Sequence, residues 1–462
     1  MLPAVKLITP LLLAVSLLGP LQADEKKNTP RVLDDVIFDE NLWTKSLEDV
    51  RKSTNPPEKE DKDDKKKVEI QDDEDGDVEI FLFNRGPKYM EWLSSDKDGL
   101  RSEPGLYQML GKKVGEVVIR GREGNASDAT ISLFNRGDDG EITLASYQTK
   151  LKEWKDLIDE KMAVRSEVRN QQGAVPLEGW MWKKGDTAVL LEGSMNRSSK
   201  RAEFIRLRLT SISAAKNAPT KMARRTSFAN NVKKDDKGFT WVEGVPMVDQ
   251  GQKGYCVVAS VERVARYFGA EIDQHEMAQL ANTDDHGTSG DEMEKAFQRV
   301  TGKIHLRTLK HIEYDDKRAE RDLRGYNSAA KKAGVKTIDI DTDNYYVDPR
   351  QFWFNAHKET FRDMKRGQQA FAHFERKVKE YVDQGIPLCW TLYLGMFKEK
   401  GLPQSYGGHM RLIIGYNFTS ADPGEHKIYY TDSWGSGHEK KEMRADEAYC
   451  MTMALYSMVP NK

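Results

Sequence analysis

The sequence predicts an α+β protein with two folded parts, and three observations support that prediction. Runs typical of strands, such as Val78–Phe83 and Thr130–Phe134, occur beside an apolar helical pattern at 151–162. Polar segments separate these runs from a C-terminal region in which helical and strand patterns also mix. The length of 462 residues favours two or three domains, because one domain usually takes roughly 100–200 residues.

Composition excludes several functional classes. The chain has 72 Lys and Arg against 74 Asp and Glu, whereas a dedicated nucleic-acid-binding protein usually carries a strongly basic surface. Only 3 cysteines are present, too few for a disulfide framework. The chain has no Cys-x-x-Cys pair, and His275-Glu276 lacks the second histidine of a zinc helix. We therefore expect no nucleic-acid partner, no catalytic metal and no cofactor.

The N-terminus has the pattern of a secretory signal peptide. Lys6 precedes the apolar run Leu7–Leu21, and small Ala23 precedes the charged Asp24. We predict a signal peptide at 1–23. The longest later apolar run, Ile386–Phe397, is too short to span a bilayer. The mature protein is therefore expected in the periplasm or outside the cell, without a stable membrane anchor.

Two segments are predicted to be linkers. Residues 24–77 include the charge run Glu58–Lys67 and are predicted to form a charged disordered linker. Residues 214–240 are polar and are predicted to form a second linker. The 78–213 region between them is predicted to be a smaller α+β domain of unknown function, with a helix around 151–162.

The tetrapeptide Phe-Asn-Arg-Gly occurs twice in this domain, at Phe83–Gly86 and at Phe134–Gly137. The repeat is consistent with a duplicated strand and turn, or with independent use of the same turn, in which Asn and Gly favour left-handed backbone. The sequence does not decide between these two interpretations.

Cys256 is predicted to begin an amphipathic helix that ends near Gly269. Apolar residues recur at helical spacing from Val257 to Phe268, and Glu262, Arg263 and Arg266 are predicted to face away from the core. A helix N-terminus carries about half a positive charge, which favours thiolate over thiol. Cys256 is therefore a candidate nucleophile.

A predicted hairpin supplies the other groups of a candidate site. Gly407–Asn417 has a strand pattern that begins near His409, and the strand Lys427–Thr431 is followed by Asp432. Antiparallel pairing of these strands brings His409 beside Asp432. Such a pair suits acyl transfer, because the imidazole moves the thiol proton and the carboxylate fixes its orientation.

These blocks resemble the active-site segments of papain-like cysteine peptidases. The resemblance rests on Gln250-Gly251, Gly254 and Cys256, on His409 with Gly415-Tyr416, and on Asp432-Ser-Trp-Gly-Ser-Gly437, and it covers about residues 241–460. Papain has asparagine where Asp432 stands. Aspartate there is more similar to the bacteriocin-leader-peptidase-like group, peptidase family C39-like.

The resemblance implies a papain-like fold for residues 241–462, with a helical half and an antiparallel sheet half. It also implies roles for individual side chains: Cys256 as nucleophile, His409 as base and acid, Asp432 as the orienting group, Gln250 as an oxyanion donor with Gln252 as the alternative, and Trp434 as a shield of the His409 contact.

The function expected from the resemblance is that of an exported thiol peptidase, which hydrolyses a peptide or protein substrate through a cysteine thioester. A thiol acyltransferase or deamidase on the same triad is an alternative, as is a catalytically silent binding module. The sequence leaves open whether residues 78–213 occlude the cleft as a pro-domain or recruit substrate or cell wall. It also leaves open whether Cys389 pairs with Cys450, and the oligomeric state.

Overall fold

The computed structural model describes residues 29–57, 87–172, 175–217, 225–270, 273–283, 306–339, 353–399 and 406–460, together with residues 295, 297 and 402. The predicted signal peptide, the strand at 78–83 and the first Phe-Asn-Arg-Gly tetrapeptide lie outside the described residues. The fold is mixed α+β with largely antiparallel sheets. Within the described ranges, no helix has the length and apolar composition needed to cross a bilayer.

The helices are α1 (Asp34–Ile37), α2 (Leu47–Thr54), α3 (Arg136–Asp139), α4 (Leu144–Met162), α5 (Ile212–Asn217), α6 (Cys256–Tyr267), α7 (Gln274–Ala281), α8 (Asp316–Ala333), α9 (Lys358–Arg366), α10 (Gln369–Val382) and α11 (Ala445–Met451). Short 3₁₀ helices occur at Leu42–Thr44, Arg225–Asn231 and Pro423–Glu425.

The strands are β1 (Arg31–Val32), β2 (Glu91–Trp92), β3 (Gly99–Ser102), β4 (Tyr107–Met109), β5 (Lys112–Lys113), β6 (Val117–Arg122), β7 (Asn125–Asn135), β8 (Glu167–Val168), β9 (Leu177–Lys184), β10 (Thr187–Asn196), β11 (Arg201–Ser211), β12 (Val232–Lys234), β13 (Thr240–Val242), β14 (Leu306–Glu313), β15 (Leu388–Leu394), β16 (Gly407–Asn417), β17 (Lys427–Thr431), β18 (Lys441–Arg444) and β19 (Thr452–Pro460).

The N-terminal half of the chain forms an eight-stranded sheet in the order β2-β3-β6-β7-β11-β10-β9-β8. Helix α4 packs on this sheet, and its apolar stripe, which includes Trp154 and Ile158, is buried. Thr143 caps the start of the helix by accepting a hydrogen bond from the Ser146 N–H at 3.1 Å. This helix and the strand pairs around it agree with the patterns in the sequence.

The linker predicted for residues 24–77 is wrong for residues 29–57. Helices α1 and α2, with Leu33 just before α1, bury Leu33, Ile37, Leu47 and Val50 in the N-terminal core. These apolar side chains recur at helical spacing, and burying them compensates for the entropy of ordering the segment. The charge run at 58–67 gave the whole segment a polar composition that this part does not share.

The C-terminal sheet has the strand order β12-β13-β16-β15-β19-β14, and β17 and β18 extend it from β16. Strand β16 pairs antiparallel with β17, and Thr431 lies opposite Leu412. Helix α6 packs against β16. The predicted hairpin is therefore present, and the helix that begins at Cys256 lies against it.

The second predicted linker, at 214–240, also requires correction for the residues that the structure describes. Phe228 is buried against the rings of Tyr267 and Phe268, with centroid distances of 5.2 and 4.8 Å. Strand β12 pairs with β13 and so belongs to the C-terminal sheet. One buried phenylalanine and a short edge strand tie this polar segment to the core, and neither has a distinctive sequence pattern.

Candidate active site

Cys256 is the first residue of α6, as the sequence predicts, and its side chain is partly exposed. The loop before it begins at Asp249, whose Oδ1 accepts a hydrogen bond from the Gly251 N–H at 2.8 Å. Gly251 has a φ of +72°, a left-handed conformation that favours glycine. This turn leads the chain into the helix and presents the sulfur at its positive end.

His409 and Asp432 meet where β16 begins and β17 ends. His409 Nε2 lies 2.8 Å from Asp432 Oδ1, and both side chains are buried. The Ser433 N–H also donates to Asp432 Oδ1, at 2.8 Å. Cys256 also interacts with the His409 imidazole. Because Nε2 is hydrogen-bonded to Asp432, Nδ1 is the ring nitrogen available to the thiol.

The electrostatics of this pair favour ionised partners. Burial lowers the pKa of His409, but the Asp432 carboxylate and the neighbouring Cys256 outweigh it and raise that pKa to about 9. Burial raises the pKa of Asp432, but the opposite effect of His409 and Arg411 is larger. The pKa of Asp432 therefore lies well below its usual range. At neutral pH the arrangement therefore favours an imidazolium beside a carboxylate.

Trp434 covers the histidine. Its ring stacks on the His409 imidazole with a centroid distance of 4.9 Å and an interplanar angle of 30°. Water is thereby kept from one face of the imidazole, which strengthens the contact between His409 and Asp432. The position agrees with the shielding role that the resemblance implies for this tryptophan.

Arg411 is a site residue that the sequence analysis missed. Its Nε donates to Asp432 Oδ2 at 2.7 Å, and its Nη1 lies 2.8 and 2.9 Å from the two oxygens of Glu399. A usable signal exists in the sequence, because residues two apart on a strand share a face and Arg411 follows His409 by two positions. Arg411 holds the second oxygen of the carboxylate that orients His409.

Arg263 corrects the prediction that Glu262 and Arg263 face away from the core, because both are buried. Arg263 Nη1 donates to the Asp432 carbonyl oxygen at 2.8 Å, and Nη2 donates to Thr431 Oγ1 at 2.5 Å. Burial lowers the pKa of Arg263 to about 10 despite the opposing effect of Asp432. The side chain fixes the main chain at the end of β17.

Gln250, the predicted oxyanion donor, lies in the loop that precedes Cys256. Its main-chain N–H donates to the Ser433 carbonyl oxygen at 2.8 Å, which ties the loop to the residue after Asp432. Its buried side-chain Nε2 donates to the Lys253 carbonyl oxygen at 3.3 Å. Gln252, the alternative donor, is exposed. The structure therefore places the Gln250 main chain beside Ser433 and directs its side-chain amide to the Lys253 carbonyl oxygen.

The described ranges contain no group of three or more His, Cys, Asp or Glu side chains placed to hold a metal ion. The chemistry that these side chains support is that of a nucleophilic thiol with an acid and base partner. Cys389 and Cys450 are buried and free, so the pair that the sequence left open is not a disulfide in this structure.

Residues 242–455 match the model of the Peptidase_C39 like family. The match confirms the resemblance expected for residues 241–460 and includes Cys256, His409 and Asp432. A search of curated proteins gave no match to the chain.

Proposed function

With the Peptidase_C39 like match as premise, we propose that the chain is an exported thiol peptidase of papain-like fold. It would cleave peptide bonds through Cys256, His409 and Asp432. The observation that carries the proposal is the position of His409, which interacts with Cys256 and lies 2.8 Å from the buried carboxylate of Asp432. A buried histidine with a raised pKa between a thiol and a carboxylate suits acyl transfer.

In the proposed mechanism the Cys256 thiolate attacks the carbonyl carbon of the scissile peptide bond. The resulting oxyanion accepts hydrogen bonds from the Cys256 N–H and the Gln250 side-chain amide. The His409 imidazolium then donates its proton to the leaving amine, and a thioester remains. Loss of one oxyanion donor typically lowers the rate by about 10²–10³.

Water completes the cycle. Neutral His409 takes a proton from water, whose oxygen attacks the thioester carbonyl, and the carboxylic acid product leaves as the thiolate re-forms. Asp432 stays ionised throughout, because Arg411 and His409 share its two oxygens. Its role is to orient the imidazole and to stabilise the imidazolium.

The test uses the chain from residue 24 and a complex peptide library, with new N-termini identified by mass spectrometry. We expect new termini with the parent protein and none with Cys256→Ala or His409→Ala. Cys389→Ala removes a buried thiol of β15 that has no role in the proposed mechanism and should retain cleavage. Equal cleavage by Cys256→Ala and the parent would refute the proposal.

Addition of a primary amine such as cadaverine to the same reaction distinguishes hydrolysis from transfer. A peptidase gives free carboxyl termini as the main product, because water intercepts the thioester. Amine adducts in excess over free acids would replace the peptidase proposal with an acyltransferase.

A further inference from the structure

The second Phe-Asn-Arg-Gly tetrapeptide has no role in the proposed chemistry, yet it lies beside the active-site loop. It ends β7 and continues into α3, and residues 135–138, here called the docking turn, face the loop of residues 249–256. This contact joins the N-terminal sheet region to the segment that carries Gln250 and Cys256.

An ion pair forms the first link. Lys253 Nζ lies 2.6 Å from Asp138 Oδ2 and 3.8 Å from Glu116 Oε2, and the Lys253 side chain is only 2% exposed. A buried ammonium group is costly unless it is paired, so these carboxylates determine where Lys253 can lie. The loop residue is therefore held by side chains more than 110 positions earlier in the chain.

A tyrosine forms the second link. Tyr255 immediately precedes the candidate nucleophile Cys256, and its Oη donates to Asn135 Oδ1 at 3.3 Å. The phenol lies against Gly137, where an added Cβ would come within 2.5 Å of Tyr255 Oη. Any larger residue at position 137 would displace the tyrosine, which explains why the tetrapeptide ends in glycine here.

Arg101 forms the third link, at the start of the loop. Arg101 Nη2 lies 2.8 Å from Glu116 Oε2, and its Nη1 lies 3.3 Å from Asp249 Oδ2. Glu116 therefore contacts both Arg101 and Lys253, and the pKa of Glu116 is lowered to about 2, because these two cations outweigh the desolvation that raises it. The loop is held at Asp249, Lys253 and Tyr255.

These anchors act on the site through the main chain. The Lys253 carbonyl oxygen accepts from Gln250 Nε2 at 3.3 Å and from the Tyr255 N–H at 2.7 Å. When Lys253 is held by Asp138, its carbonyl is fixed, and so is the amide of Gln250. The orientation of that amide decides whether it can donate to an oxyanion.

We propose that the docking turn positions the oxyanion donor, with Asp138 and Lys253 as positioning residues that act through the Lys253 carbonyl on Gln250. The catalytic part of this inference rests on the proposed peptidase function. The N-terminal region is then part of the working site, and its loss would disorder the loop around Cys256.

The experiment compares Asp138→Asn, Lys253→Met and the double variant in the chain from residue 24. Hydrogen exchange of the peptide covering residues 249–257 is followed by mass spectrometry. We expect exchange there to rise about tenfold in each variant, with no further rise in the double variant, because both changes break one link. Ser194→Ala removes a hydrogen bond of 2.6 Å to Gln279, between the same two regions but away from the loop, and should leave loop exchange unchanged.

The kinetic readout separates positioning from general damage. Asp138→Asn should lower kcat for peptide cleavage by about tenfold or more with little change in KM, since only the oxyanion contact is weakened. Alkylation of Cys256 by iodoacetamide involves no oxyanion and should change by less than about twofold. If Asp138→Asn does not fold, Asn135→Ala provides a milder test of the docking turn, because Asn135 accepts from Tyr255 and donates to Asp138.

The outcomes are distinguishable. Unchanged loop exchange in Asp138→Asn, or an equal change in Ser194→Ala, would overturn the positioning role whatever the enzyme does. Raised loop exchange in Asp138→Asn, together with a parent protein that cleaves no peptide, would retain the structural link and refute the peptidase function and the oxyanion role of Gln250 with it.

Discussion

Arg411 donates from Nε to Asp432 Oδ2 at 2.7 Å, so Asp432 binds Arg411 through one oxygen and His409 through the other, at 2.8 Å. The carboxylate is completely buried, and it cannot rotate without breaking one of these bonds. The orientation of His409 therefore depends on an arginine that belongs to the same strand and also binds Glu399.

Arg411→Met should destabilise the fold by about 3–5 kcal/mol, because it leaves a buried carboxylate without its cation. The free energy of unfolding from urea denaturation measures the effect. Arg324→Met is the control, since Arg324 is 71% exposed and pairs with Glu320 on the surface of α8. A loss below about 1 kcal/mol for Arg411→Met would contradict the burial argument.

Asp432→Asn should strongly reduce the rate of peptide cleavage, although the resemblance places asparagine at this position in papain. Both oxygens of Asp432 accept hydrogen bonds, so an amide NH₂ would face the donor of either His409 or Arg411. We expect kcat to fall by about 10² or more while the protein remains folded. Activity within about threefold of the parent, with thermal unfolding as the check on folding, would disprove the orienting role.

Cys389 and Cys450 should be unreactive in the folded protein. Burial raises the pKa of Cys389 to about 12, and it also raises the pKa of Cys450 far above its usual range. Iodoacetamide at neutral pH should therefore add one carbamidomethyl group to the native protein and three after denaturation without reductant, counted by intact mass. A single adduct after denaturation would show that these two cysteines are paired.

The local parts of the site could be predicted from the sequence. The helix that starts at Cys256 and the hairpin that joins His409 to Asp432 follow from apolar periodicity and strand pairing over short distances. Arg263 could not be placed in this way, because its charge favours solvent and tertiary contacts to Pro246, Thr431 and Asp432 compensate for its burial.

The docking turn shows a second limit. Asp138 and Lys253 are 115 positions apart, and neither lies in a pattern that identifies its partner. The predicted linker fails for residues 29–57 for a related reason, since the composition averaged over 24–77 conceals the buried Leu33 and Val50. Long-range contacts and short apolar stripes inside charged segments both require the three-dimensional structure.

Activation of Cys256 by His409 can be tested without a substrate, through the pH dependence of Cys256 alkylation by iodoacetamide. Because the pKa of His409 is raised to about 9, its imidazolium is present at neutral pH and is lost as the pH rises through that value. We predict rapid labelling of the chain from residue 24 at about pH 6–7, well below the free-thiol pKa of about 8.5, and a marked loss of this labelling in His409→Ala. Labelling that rises only near pH 8.5 in both proteins would contradict the account.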